Sequence, residues 1–346
     1  MRLLNCGTLA LESFPSSNVP AYAILSHTWE EEEVVYDDFV SERINHTTMR
    51  GWYKIQQACD QAVRDGFSYL WADTLCIDKS SSSELSETIN SMFKCYRNSA
   101  ICYAYLSDLP KTGLADSRWF TRGWTLQEII APGRIHFFDK DWTSQGSKET
   151  LLDELHKITG VDRTVLQGGS LRVISAARKM SWASKRQTTR PEDIAYSLLG
   201  LFDISMPMLY GEGSRAFIRL QEEILKQYDD QSIFAWVGDN RWSSWGFFAS
   251  SPKHFSQSAN IVACHSHEDQ DEPITVTSRG LRIVAPLHSM GAQEQLDGVS
   301  MLRLNCKQLD FNMAPEDRIG IILFKGLGRA CFRLYTDRHH TYKGNF

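Results

Sequence analysis

The sequence has no apolar run approaching the roughly 18 residues that a membrane-spanning helix requires, so a helical integral membrane protein is excluded. Its first residues, MRLLNCGTLALESF, carry one arginine and a short apolar stretch broken by Glu12, a poor match to a secretory leader. Its eight cysteines form no CxxC pair, which argues against both a zinc site and a disulfide framework. Most of them sit inside apolar patterns, where a reduced cysteine acts as a small hydrophobe. No basic tract is present and the formal net charge is −5, so nothing draws the chain toward nucleic acid or an anionic membrane. Glycine-rich phosphate loops of the P-loop and dinucleotide-binding types are missing as well. A cytoplasmic, reduced chain that needs no metal or cofactor is the expectation.

What is present is ordinary globular material, 346 residues with 42% hydrophobic and 23% charged. That is long for one domain and comfortable for two. AYAILSHTWE (Ala21 to Glu30) reads as a buried strand. MRGWYKIQQACDQAVRDG follows with Trp52, Ile55, Ala58, Cys59, Ala62 and Val63 at helical spacing, closed by Gly66. FSYLWADTLCID is a second strand, and the serine-capped segment ending MFKCYRNS is a helix with Leu85, Ile89, Met92, Phe93 and Tyr96 on one face. AICYAYLSD is a third strand, Trp124 to Ile130 opens another helix, and RIHFFD is a fourth strand. Such alternation predicts a parallel sheet with helices on both faces. Ligands of these sheets gather at the carboxyl ends of the strands.

Residues 147–230 read as mainly helical, through RPEDIAYSLLGLF and GEGSRAFIRLQEEILKQ, joined by the turn-rich DISMPMLYGEG. From residue 231 onward SIFAWVG, ITVTSRGLRIVAPL, SMLRLNC, IGIILF and ACFRLY predict an antiparallel β unit, a sandwich or open barrel. The expected domains are therefore 1–146, 147–230 and 231–346. No repeat is evident, and the only low-complexity tracts are Ser80 to Ser83 and Glu30 to Glu33. The close at HHTYKGNF suits a fragment of a longer protein.

Three stretches carry candidate chemistry. SRWFTRGWTLQEIIAPGRIHFFD crowds Arg122, Trp124, Gln127 and Glu128 against an apolar run. Placed in the first turns of a helix at the sheet edge, Glu128 can hold a ribose by its hydroxyls and stabilise positive charge on the anomeric carbon. Equally, it can favour the helix N-terminus or pair with Arg122. LSHTWE offers Ser26, His27 and Thr28 as donors to phosphates and Trp29 as an aromatic face for a base, although a single histidine is more often structural. WADTLCIDKSSSSELSE brings Asp73, Asp78 and Cys76, with Glu84 and Glu87 three apart on a helix. The apolar neighbours of Cys76 point to burial rather than a nucleophile, and Glu84 and Glu87 read most simply as a solvated face.

YAILSHTW, YLWADTLCID, ELSETINSM and WFTRGWTLQEIIAP, in this order over Tyr22 to Phe138, resemble the successive motifs of the HET domain. That is the heterokaryon (vegetative) incompatibility module of filamentous fungi, and SLLGLFDISMPMLYGEGSRAFIRLQEEI and TVTSRGLRI resemble its continuation in the HET-E and HET-D type. In those proteins a nucleotide-binding STAND module and WD repeats follow. HET domains are regarded as relatives of TIR domains, so the resemblance implies a TIR-like, flavodoxin-like sheet. Many TIR domains hydrolyse NAD+ on self-association, and GWTLQEI is similar to their Trp-Cys-Leu-x-Glu-Leu motif, with Thr125 at the cysteine position. The resemblance implies NAD+ as substrate, Glu128 as catalytic residue, and Ser26, His27, Trp29, Asp73, Cys76, Trp124, Gln127 and Arg122 around the nucleotide. The implied role is NAD+ cleavage that triggers cell death. The competing expectation is a non-enzymatic adaptor acting by homotypic assembly.

Overall fold

A computed structural model describes residues 1–41, 45–238, 244–264, 274–278, 280–284, 287–289, 299–309, 317–325, 331–334 and 340–342. The chain divides into two compact units. The first comprises 1–169, 186–188 and 196–208, and the second comprises 170–185, 189–195 and 209–346.

The first unit is built on a seven-stranded sheet. In chain order it contains β1 (Arg2–Asn5), β2 (Leu11–Ser13), β3 (Ala23–His27), helices α1 (Tyr36–Val40) and α2 (Arg50–Arg64), then β4 (Tyr69–Trp71). Next come α3 (Ser82–Asn98), β5 (Ile101–Leu106), α4 (Thr125–Ile130), β6 (Ile135–Asp139), β7 (Ser144–Ser147), α5 (Leu152–Thr159) and α6 (Arg163–Leu166). The strand order is β2-β1-β4-β3-β5-β6-β7. The four expected strands pair in parallel, β4 to β3, β3 to β5 and β5 to β6. Every residue of β3 and β5 is buried: the apolar Ala23 to Leu25 and Ile101 to Leu106 call for it, and the polar Ser26 and His27 are buried with them.

The sheet as a whole is mixed rather than parallel, because β1, β2 and β7 pair antiparallel at its flanks. Those strands give no sequence signal: β1 and β2 are only four and three residues long, and β7 is the polar SQGS.

From β3 the chain steps one way to β4, then crosses back over β3 to β5 and β6. With the usual right-handed crossovers, α2 lies on one face while α3 and α4 share the other. Packing of α3 against α4, and of α2 against β4, agrees with this. Winding therefore reverses between β3 and β5, and their carboxyl ends flank the point where such sheets form a ligand crevice.

Local chemistry explains the connecting elements. Helix α2 ends in a paired turn, with Phe67 N donating to Ala62 O at 2.8 Å and Gly66 N to Val63 O at 3.1 Å, around Gly66 at φ +84°. Trp52, Ile55, Ala58, Cys59 and Ala62 are buried as their spacing predicts, but Val63 lies one step past the stripe and is exposed. Ser81 caps α3, accepting from Glu84 N.

In the second unit, α7 (Ala176–Ala183), α8 (Asp193–Tyr196, whose last residue belongs to the first unit) and α9 (Arg215–Gln227) precede the strands. The predicted helix over RPEDIAYSLLGLF contracts to α8 and a 3-10 turn at Leu199–Leu201. SIFAWVG is not a strand: Asp230 accepts from Ser232 N at 3.0 Å and starts a 3-10 turn, Gln231–Phe234. A short apolar run has no periodicity to separate these outcomes.

The strands are β8 (Ser244–Trp245), β9 (Ile261–Ala263), β10 (Thr275–Thr277), β11 (Gly280–Arg282), β12 (Leu287–Ser289) and β13 (Val299–Arg303). They continue with β14 (Cys306–Gln308), β15 (Arg318–Lys325), β16 (Cys331–Leu334) and β17 (His340–Tyr342). All their described pairings are antiparallel, forming one six-stranded and two two-stranded sheets. Parts of the predicted runs ITVTSRGLRIVAPL and ACFRLY, and most of HHTYKGNF, lie outside the described residues. No helix among the described residues is long and apolar enough to cross a membrane.

Candidate functional site

Ser26 and His27 end β3, beside Ala104 and Tyr105 of β5, at the winding reversal. Alternation along a strand sends their side chains to opposite faces, and their partners differ accordingly. Ser26 turns toward α4, where its hydroxyl donates to Glu128 Oε2 and accepts from Trp119 Nε1 at 2.9 Å. Trp119 is presented by a 3-10 turn, Arg118–Thr121, capped by Ser117. Ser117 is itself fixed by donating to Asp108 Oδ1 at 2.8 Å.

Helix α4 is short, and all six of its residues are buried. Its first turn is tied down by the Thr125 hydroxyl, which donates to the carbonyls of Trp119 and Arg122. Glu128 is 7% exposed. Burial foremost pushes its carboxyl up to about 8, with Asp73 adding to the rise and the Ser26 and Tyr96 hydroxyls and Arg186 opposing it. The acid is therefore mostly protonated at neutral pH. An opposite charge placed beside it would drive the proton off.

Arg186 is the cation whose field reaches Glu128. It arrives on residues 186–188, which run beside 121–123: Gly123 N donates to Gln187 O at 2.8 Å and Gln187 N to Thr121 O at 2.7 Å. Arg186 Nη1 then donates to Arg122 O at 2.7 Å and to Thr125 Oγ1 at 2.9 Å. A Cβ on Gly123 would come within 2.5 Å of Thr188 Cγ2, so the close approach requires glycine there.

On the other face, His27 is enclosed by Glu33 and Asp73. Its Nε2 lies 3.7 Å from Glu33 Oε2 and 3.8 Å from Asp73 Oδ1. Burial, then Lys54, push the imidazole down to about 3, so it is neutral and cannot serve as a cationic phosphate ligand. Asp73 accepts from Trp29 Nε1 at 2.9 Å, and Lys79 Nζ sits 3.5 Å from the same carboxylate oxygen. Burial works against the Asp73 charge, but Lys79, His27, Trp29 and Lys54 together hold its pKa below the ordinary range. Lys79 also lies 3.5 Å over the Trp29 ring, which is 41% exposed.

The other candidates take different places. Cys76 is buried, with Ala72 N donating to its sulfur at 3.5 Å and burial raising the thiol to about 12, which suits a packing residue rather than a nucleophile. Glu84 pairs with Arg2 and accepts from Asp78 N at 3.0 Å, and Glu87 is exposed on α3. Gln127 is buried with no hydrogen-bond partner for its Nε2 among the described residues, while Trp124 is half-buried at the head of α4. Arg122 contributes its carbonyl, which accepts from Arg186.

Sequence reasoning did not find Glu33, Lys54, Trp119, Tyr96 or Arg186. Trp119 lies in the same stretch as Arg122 to Glu128, and Glu33 in the acidic run. Arg186 gave no local signal, since it is 64 positions from the carbonyl it meets.

Comparison with known proteins agrees with the motifs. Residues 22–113 match the family model described as heterokaryon incompatibility protein (HET), and 215–272 match a domain of unknown function. The vegetative incompatibility protein HET-E-1 of Podospora anserina is 45% identical over 62% of this chain, and the match spans 17% of that protein's length. No solved structure matches the chain significantly. Ser26, His27, Glu33 and Asp73 fall within the HET match, whereas Glu128 and Arg186 fall beyond it.

Proposed function

From the premise that the chain carries a HET (heterokaryon incompatibility) domain at residues 22–113, we propose that it cleaves the ribose–nicotinamide bond of NAD+ as a TIR-like enzyme of incompatibility and cell death. The observation that carries the reading is the Glu128 carboxyl: buried, raised to about 8, and hydrogen-bonded by Ser26 at the β3 terminus.

In this reaction the C1′–N bond breaks with its electron pair passing to the nicotinamide nitrogen, which becomes neutral and leaves without an acid. Water then forms the new C1′–O bond and releases a proton, giving ADP-ribose and nicotinamide. A carboxylate beside C1′ stabilises the positive charge that develops there. NAD+ brings a cationic ring to a buried acid, and that charge favours the ionised form that the reaction needs. Its neutral reduced counterpart offers no such charge.

Ser26 and Trp119 orient Glu128, Arg186 steadies α4, and Trp29, His27 and Asp73 face the nucleotide. Glu128 is nearly enclosed, so substrate reaches it after local opening, and we assign that opening to self-association of the chain. A STAND and WD-repeat region in a longer protein would control the assembly.

The same burial favours a second reading. Ser26, Glu128 and Arg186 can serve as a polar tie between β3 and α4 in an adaptor that signals by assembly alone. Expression in cells separates the two. The enzyme reading predicts that wild type lowers cellular NAD+ and viability while Glu128→Gln, at equal abundance, does neither. Death at full NAD+, or death that survives Glu128→Gln, supports the adaptor.

A further inference from the structure

The run Glu30 to Glu33 looks like a solvated acidic tract, yet Glu30, Glu31 and Glu32 are exposed while Glu33 is buried. Two contacts hold it inside. Lys54 of α2, itself 2% exposed, donates to Glu33 Oε1 at 2.5 Å, and Glu30 N donates to the same oxygen at 2.7 Å. Helix α2 comes this near because Gly51 lies against the Glu32 carbonyl, where a Cβ would sit 2.5 Å from that oxygen.

Among the described residues, Glu33 Oε2 has no hydrogen-bond partner, and neither does either ring nitrogen of His27, whose side chain is fully buried. Buried polar atoms rarely remain unpaired, because each gives up its bonds to water on burial. The carboxylates of the cluster already have cationic partners, Lys54 for Glu33 and Lys79 for Asp73. What is missing is a neutral group that both donates and accepts. A hydroxyl meets that need: its oxygen can sit within about 2.8 Å of both Nε2 and Oε2, which are 3.7 Å apart.

The cluster lies across β3 from Glu128, since His27 and Ser26 point to opposite faces. A ligand lying over the strand ends therefore meets a carboxyl on each side. We infer that Glu33 and His27 bind a hydroxyl of the adenosine ribose of the dinucleotide, with the other ribose at Glu128. This rests on the reading of the site as an NAD+ site. Glu33 accepts from the hydroxyl, His27 donates to it, and the exposed Trp29 ring, tied to Asp73, takes the adenine.

The test is calorimetric binding of ADP, 2′-deoxy-ADP and 3′-deoxy-ADP to the whole chain. These probes contain no nicotinamide bond, so the result is independent of turnover. Wild type is expected to bind ADP at least 10-fold tighter than one deoxy form, and Glu33→Gln to lose that preference. Equal binding of all three by wild type, no binding of ADP, or a preference unchanged in Glu33→Gln overturns the inference. If Glu33→Gln does not fold, the His27 ring resonances of wild type decide: a shift with ADP that is smaller with the deoxy form supports it, and no shift contradicts it. Loss of NAD+ cleavage with retained ADP discrimination would instead count against the proposed reaction alone.

Discussion

Glu128 and His27 sit one on each side of the same strand, and burial moves them in opposite directions. Glu128 rises to about 8 from 4.5, and His27 falls to about 3 from 6.5. Between pH about 4.5 and 8 the folded chain keeps the Glu128 proton that the unfolded chain has lost, so this group's contribution to stability declines as pH rises. His27 contributes stability that is present above 6.5 and lost as pH falls toward 3. Glutamine at 128 cannot titrate, whereas His27 is common to both proteins. Thermal melts of wild type and Glu128→Gln at pH 5 and pH 8 should therefore show the variant gaining relative to wild type at the higher pH. A constant difference would mean that Glu128 titrates normally.

In the proposed reaction the same residue would set the rate profile. If the carboxylate is the working form, kcat/KM for NAD+ should climb through an inflection near pH 8, where the free enzyme's Glu128 ionises. Ser26→Ala removes a hydrogen bond that lowers this pKa, so its inflection should move to higher pH. A profile flat between pH 6 and 9 would assign the rate to another group.

At the scale of elements, the site depends on α4 being clamped from two sides, by β3 through Ser26 and by residues 186–188 through Arg186. Gly123 is where the second clamp closes. Gly123→Ala would push its methyl into Thr188, a β-branched residue with little freedom to move aside. We expect a loss of about 1–3 kcal/mol in denaturant unfolding, together with lower turnover, because the strand-like pairing carries Arg186. An alanine variant of unchanged stability would show that the clamp is slack.

The central sheet was legible because β3 to β6 are apolar runs alternating with capped or periodic helices. Glu128 stood out as a candidate because a carboxylate just after Trp119 and Trp124 at a helix entry breaks the core pattern. The flanking strands were hidden, being short or polar. The partners of Glu128 were hidden for another reason: Ser26 and Arg186 are 102 positions before it and 58 after it in the chain, and only folding joins them. The inward turn of Glu33 was hidden by its three exposed neighbours, which give the run the composition of a surface.

At the scale of the whole molecule, the first unit is wider than the matched HET segment. It takes in Glu128, the 186–188 strap and residues 196–208, all beyond residue 113. The proposed chemistry therefore belongs to the folded unit rather than to the motif-bearing stretch alone, and the proposal assigns the opening of an enclosed Glu128 to assembly. The most direct measurement is nicotinamide release from NAD+ by the purified chain over a range of protein concentrations, with Glu128→Gln alongside. The account predicts specific activity that rises with wild-type concentration and falls at least 100-fold in Glu128→Gln, with the fold intact by circular dichroism. Equal release by the two proteins at every concentration would contradict it.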